Sequence, residues 1–436
     1  MIIFIVDYLF MKSNKMKKLF SLFLTVSLIS ACNSMSNQNL DTQNDMTNIS
    51  SSTKGIPSVL PNLPDAQLFS TFSNSYKILA EDNERIARAD SKNNDKYFVK
   101  TILSAKQTLD CAFFDIQEDE IVSALVMSKQ KGVNVRVVTD SDNMKDKVDP
   151  TLKRESILRL LEAGIEVVGD NRGPFMHHKF MVIDKKIVWH GATNPTTKGM
   201  FHHNSNSVFI RSEALAKNFS DEFNRMFEKK DFATPRKGTV SSPIVNVGDT
   251  TIKTFFSPAG GTKEGIIAEL SNAKKSIKFM AFSFTDVDMA NIMIAKRKSG
   301  LKVEGVYDEC LNGKYSTYKL LLSSGVQVMT DGNQALLHSK TMIIDDKVVI
   351  NGSFNFSKNA ELNNNEDTLI ITSSSFAQNF LKEYARIKDM AIKNTDIPPY
   401  DHPACSHGDP SETPVNTNKN SINLSTNEVP YFYDRD

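Results

Sequence analysis

The sequence predicts an α/β protein made of two copies of one unit, each a mixed, mostly parallel sheet flanked by helices. Three observations carry this. The phrase HHKFMVID at 177–184 returns as HSKTMIID at 338–345. Each copy is followed at the same distance by a glycine-rich phrase, GATN at 191–194 and GSFN at 352–355. Around both, short apolar runs alternate with amphipathic stretches, the order of strands and helices in turn. One His-x-Lys-x4-Asp phrase is unremarkable in a lysine-rich chain. Two with the same trailing Gly and Asn are not chance.

The duplication runs beyond the motif. AKQTLDCAFFDI starts at Ala105 and AKKSIKFMAFSF at Ala273, an offset of 168 residues that pairs Asp140 with Asp308. A connection shorter by seven in the second copy changes the offset to 161, which holds from Gly164/Gly325 through Asn194/Asn355. LDCAFF and IKFMAF have the length and apolarity of buried strands, and VNVRVV and LKVEGV alternate. IVSALVMSKQKG and MANIMIAKRKSG read as helices, each closing at a Gly suited to a left-handed cap. RESILRLLEAG and STYKLLLSSG repeat the pattern, with Ile157, Leu160 and Leu161 matching Tyr318, Leu321 and Leu322. The motifs themselves are β-rich. They end in charged DKK and DDK turns before IVWHGATN and VVINGSFN return, which predicts a hairpin. Side chains alternate along a strand, so His177 and Lys179 share a face, as do His338 and Lys340. Asp184 and Asp345 have the opposite parity and sit at the turns, as positioning residues rather than proton carriers.

These residues resemble the phospholipase D superfamily. The hallmark of that family is a duplicated His-Lys-Asp motif. The resemblance covers about 65 to 395 and includes NNNED at 363–367, similar to the Asn/Glu patch that follows the motif in family members. It implies one active site at a pseudo-two-fold interface, each repeat supplying half, with catalytic residues His177, Lys179, Asp184, His338, Lys340 and Asp345. One imidazole attacks phosphorus and forms a phosphohistidine; the other protonates the leaving oxygen and then activates water or an alcohol. Imidazole suits both roles because its ordinary pKa of about 6.5 lies near working pH. Lys179 and Lys340, with Asn194 and Asn355, neutralise and orient the phosphate oxygens. His177 is assigned as nucleophile and His338 as acid/base, with Glu366 supporting His177. Ser353 and Glu366 complete the substrate-binding set. No cofactor and no obligatory metal are implied.

The first copy departs from the second. Ser205 stands where the second has Glu366, and Ala192 where it has Ser353. Thr193 has the wrong parity to replace that hydroxyl. His178 falls on the opposite face, with a structural or rim role. His202 and His203 lie in the loop after the first motif, where family members line the substrate entrance. Adjacent histidines chelate metal poorly, and no Cys/His cluster has zinc spacing.

Lys17 and Lys18 precede the 11-residue apolar stretch LFSLFLTVSLI, and ISAC follows at 29–32. This reads as a signal peptide over 1–31, with Met16 as the start, too short to span a membrane. Cys32 matches a lipidated first residue, which predicts a secreted, membrane-anchored lipoprotein. Residues 33–60 read as a disordered tether with a reach of roughly 25–35 Å. Repeat 1 is placed at 61–228, a linker with Pro235 and Pro243 at 229–250, repeat 2 at 251–395 and a polar tail at 396–436. With Cys32 lipidated, Cys111, Cys310 and Cys405 make no full disulfide framework. The formal net charge is +1, which weakens a nucleic-acid reading without excluding a local basic groove. The expectation is a monomeric phosphodiesterase acting on phospholipid head groups at a membrane surface. The alternatives are an endonuclease of the same superfamily and a catalytically weak surface-binding lipoprotein.

Overall fold

The computed structural model describes residues 60–73 and 80–393. The predicted leader, Cys32, the tether, Cys405 and the tail from 396 lie outside the described residues. The described part folds as two similar α/β halves. The first sheet contains β1 (Leu68–Ser73), β2 (Thr108–Phe113), β3 (Asn134–Thr139), β4 (Glu166–Gly169), β5 (Lys179–Ile183), β6 (Ile187–Gly191) and β7 (Ser205–Arg211), in the order β1-β7-β6-β5-β2-β3-β4. The second contains β8 (Ile244–Val247), β9 (Thr250–Ser257), β10 (Ser276–Ala281), β11 (Lys302–Tyr307), β12 (Gln327–Thr330), β13 (Lys340–Ile344), β14 (Val348–Gly352) and β15 (Glu366–Thr372), in the order β12-β11-β10-β13-β14-β15-β9-β8.

Both sheets are mixed, as expected, but parallel pairing does not dominate. It is confined to β2-β3-β4 and β10-β11-β12. The motif strands explain the difference. β5 returns immediately as β6, and β13 as β14, so each motif inserts an antiparallel hairpin beside the parallel trio. The turns are built for it. Asp184 and Lys185 have φ of 51° and 55°, and Asp345 and Asp346 have 54° and 55°. Two central residues at positive φ match the twist of a two-residue hairpin. Lys186 N–H closes the first turn on Ile183 O at 2.9 Å, and Lys347 N–H closes the second on Ile344 O at 3.0 Å.

Strands buried on both faces divide the core by parity. Phe180 and Val182 of β5 join a core shared by the two halves with Ile343, Val349 and Leu369, roofed by Phe219, Phe223 and Phe380 from helices Glu213–Phe227 and Ser374–Lys393. Met181 and Ile183 pack outward into a core private to the first half, and Met342 and Ile344 into its counterpart in the second. The predicted linker 229–250 has structure of its own. It contains β8, and its Arg236 is buried, with Nε donating to both Glu222 carboxylate oxygens at 2.8 and 2.9 Å.

Candidate active site

Backbone pairing across the halves brings the two motifs together. The peptide before each motif strand forms a parallel bridge with the other half, Met176 with Asn365 and Leu337 with Asn204. His177 N–H donates to Asn365 O, and His338 N–H to Asn204 O, each at 2.9 Å. The two anchors are related by the same 161-residue offset as the histidines, so the arrangement is a pseudo-two-fold one. Each histidine is thus positioned by the other repeat. His177, Lys179, His338 and Lys340 are all about 1% exposed.

Each His/Lys pair rests on a phenylalanine. The Phe114 ring centroid is 5.1 Å from that of His177, with Lys179 Nζ 4.8 Å above the same ring. Phe282 stands 4.8 Å from His338, with Lys340 Nζ at 4.4 Å. Each ammonium also donates to its own histidine's carbonyl at 2.9 Å. Both contacts hold the positive charge beside the imidazole.

The partners of the two imidazoles differ. His177 Nδ1 meets Glu366 Oε2 at 2.7 Å. That oxygen also accepts from Ser353 Oγ at 2.6 Å, and Asn364 Nδ2 donates to Oε1 at 3.1 Å. His338 has no such carboxylate; its Nδ1–H donates to the Ala192 carbonyl at 2.9 Å. Contrary to the parity expectation, Thr193 supplies a hydroxyl to residue 205, the position equivalent to Glu366. Thr193 Oγ1 donates to Ser205 Oγ at 3.0 Å, and Asn94 Nδ2 to Thr193 Oγ1 at 2.9 Å. Burial, helped by the positive charges of Lys340 and Lys179 and the rings of His203 and His177, holds His338 well below the usual imidazole range.

A family profile described as "Cardiolipin synthase, PLD-like domain" matches residues 98–227 and 266–388, more than half of the chain. The chain belongs to the phospholipase D-like family. Mitochondrial cardiolipin hydrolase of Homo sapiens is 31% identical over 157 residues, 34% of this chain and 60% of that protein, so the chain spans only part of such relatives' length. A phospholipase D of Rickettsia typhi is 29% identical over 163 residues, covering 37% of this chain and 80% of that one. A phosphatidylserine synthase of Haemophilus influenzae shares the fold, with TM-score 0.52 and 13% identity over 78% of this chain and 91% of that one.

In this phospholipase D-like site the motif aspartates stand apart from the chemistry. A five-residue strand, about 15 Å, separates each from its lysine. Asp184 accepts from the backbone N–H groups of Lys106, Gln107 and Thr108, and Asp345 from those of Lys274, Lys275 and Ser276. They clamp each hairpin to the start of its neighbouring strand. Ser353 and Glu366, grouped with the substrate-binding residues on sequence, lie on the Nδ1 side of His177, Glu366 against the ring and Ser353 against Glu366. Asn194 is buried and Asn355 half-buried, in the loops after β6 and β14. Among the described residues, no group of three or more His, Cys, Asp or Glu side chains is placed to hold a metal.

Three features escaped the sequence reading. Phe114 and Phe282 share the 168-residue offset, so the repeat alignment contained them; carrying no polar chemistry, they drew no attention. Asp140 and Asp308, also paired by that offset, accept from the N–H groups of Met176 and Leu337 at 3.2 and 2.8 Å, immediately before each histidine. Burial and neighbouring Asp170 push Asp140 up to about 7; burial and Asp331 raise Asp308 as well. Behind the site, Asp367 meets His178 Nδ1 at 2.9 Å and His190 Nδ1 at 3.1 Å, while His178 Nε2 lies 3.7 Å from Glu222. His178 is therefore structural and fully enclosed, not at the rim. Burial alone would lower it, yet Asp367 and Glu222 hold it above its ordinary value. Burial alone would raise both carboxyls. Instead His178 and His190 hold Asp367 low, and His178 and Arg236 hold Glu222 low. With His178 protonated, two buried cations balance two buried anions.

Proposed function

We propose that the chain is a phospholipase D-type phosphodiesterase that hydrolyses phospholipid head groups, or transfers them to an alcohol, through a phosphohistidine on His177. The observation that carries the assignment is the carboxylate of Glu366 on Nδ1 of His177, against a neutral carbonyl on Nδ1 of His338. A carboxylate fixes the tautomer with Nδ1–H, so Nε2 presents the lone pair. Attack by Nε2 forms the N–P bond as the P–O bond to the leaving group breaks. The phosphorylated ring then carries positive charge, which Glu366 offsets. His338, fixed by Ala192, uses Nε2 to give the leaving oxygen its proton. It then takes one from water or alcohol as the new P–O bond forms and the N–P bond breaks. Lys179, Lys340, Asn194 and Asn355 meet the non-bridging oxygens.

A lipid substrate is favoured by the likeness to proteins named phospholipase D and cardiolipin hydrolase, and by the near-neutral net charge. Anchorage at a membrane through Cys32 rests on the leader pattern. It agrees with Cys310, which is disulfide-bonded as suits an oxidising compartment, while Cys111 is a buried free thiol. Among the described residues no helix is long and apolar enough to cross a membrane. The test incubates the chain with phosphatidylcholine or cardiolipin vesicles, ethanol and EDTA. Phosphatidyl-ethanol products, lost in His177→Ala, are expected. Cleavage of single-stranded DNA or RNA with intact lipids would make the protein an endonuclease. No cleavage of either class would leave the surface-binding reading.

A further inference from the structure

His203 is buried to about 1% exposure, and its ring centroid stands 5.6 Å from that of His338 at an interplanar angle of 43°. The position is fixed from both sides. His203 N–H donates to Lys198 O, and the next residue, Asn204, exchanges backbone hydrogen bonds with Leu336 and His338. Both Phe282 and His203 thus lie against the His338 ring, at 4.8 and 5.6 Å between centroids. In the repeat register His203 corresponds to Asn364, the residue that donates to Glu366, and Ser205 corresponds to Glu366 itself. Where the second repeat sets the Glu366 carboxylate on the opposite histidine, with the Asn364 amide on that carboxylate, the first sets the His203 imidazole against His338 and has at 205 a hydroxyl that meets Thr193. The loss of the carboxylate at 205, of its hydroxyl partner at 192, and the arrival of an imidazole at 203 fall in one half-site.

We propose that His203 is a positioning residue of the active site, an imidazole set against His338 where the other half-site sets a carboxylate against His177, so that the two motif histidines are held in different roles. A carboxylate favours the charged ring of a phosphorylated histidine; a neighbouring imidazole surrounded by cations disfavours charge on His338. His338 then gives up a proton readily and returns to the neutral form that accepts one. The groups facing His338 are His203, Lys340, Lys179 and His177. Beyond His203, Arg386 of the Ser374–Lys393 helix reaches Asn204 Oδ1 at 3.0 Å and is paired with Glu383. The role in catalysis rests on the function proposed above; the electrostatic pairing does not.

The experiment is an NMR pH titration of the histidine rings in the full chain and in His203→Gln, with kcat/KM measured over the same pH range on the lipid substrate. Removing the second imidazole is expected to move the His338 midpoint upward by about half a pH unit, and the basic limb of kcat/KM with it. In the unaltered chain, which needs no variant to fold, the His338 signal is expected to show a second inflection at the His203 midpoint. An unmoved midpoint in the variant, or a single inflection in the unaltered chain, overturns the proposal and leaves His203 as packing. A shifted midpoint in a chain that cleaves no phosphodiester would keep the pairing and discard the function.

Discussion

The His177 and His338 half-sites carry the same strand, the same lysine and the same phenylalanine beneath it, yet surround their imidazoles differently. His177 is backed by Glu366, Ser353 and Asn364; His338 is backed by a peptide carbonyl and flanked by His203. The two-step displacement proposed above accounts for a duplicated site that diverges in this way. One histidine must carry a phosphoryl group and the charge that comes with it. The other must pass a proton in both directions. A symmetric pair of carboxylates would favour charge on both rings.

The harshest way to break the comparison is to remove either ring. His177→Ala and His338→Ala are each expected to lower kcat by more than about a thousand-fold, because each step needs both groups; steady-state kinetics on the lipid substrate checks this. Glu366→Gln keeps the shape and removes the charge. A fall in kcat of about a hundred-fold or more is expected, with a much smaller change in KM. The first half carries Ser205 at the equivalent position, so it has no counterpart to this substitution.

Asp367→Asn probes the charge balance behind the site. Breaking a buried, balanced network costs about 3–5 kcal/mol, read as a lower urea midpoint. The pH dependence follows from the shifts. The depressed Asp367 and Glu222 contribute stability above their unfolded values near 4, and lose it as pH falls through their lower folded values. The raised His178 contributes below about 6.5 and loses its contribution as pH rises through its higher folded value. The variant should therefore differ most from the parent between about pH 4 and 6.5 in urea titrations. Asp140→Asn has the smallest expected effect. Its raised carboxyl makes the parent lose stability as pH rises from about 4 to about 7, so the neutral variant should flatten that slope in thermal melts at successive pH values.

Much of the site was legible because the duplication itself is informative. The offset identified the two His/Lys pairs and the absent acid at 205, the family resemblance implied the support of His177 by Glu366, and side-chain parity placed the histidine and lysine together. What stayed hidden depends on tertiary contacts, from 14 positions apart for Arg236 and Glu222 to 189 for His178 and Asp367. The bridge of Asn204 to Leu337, the Arg236–Glu222–His178–Asp367 chain and the closeness of His203 to His338 have no local signature. The balance of parallel and antiparallel pairing was misjudged for a related reason. The hairpin was recognised from DKK and DDK, but nothing in β5 or β13 indicates which neighbour its other edge will meet.

The division of labour is tested most directly by rapid chemical quench during turnover of a phospholipid labelled in its phosphatidyl phosphate, followed by peptide mapping under alkaline conditions that preserve phosphohistidine. The account predicts label on the peptide carrying His177 and none on that carrying His338. Label on His338 would contradict it and exchange the roles of the two half-sites.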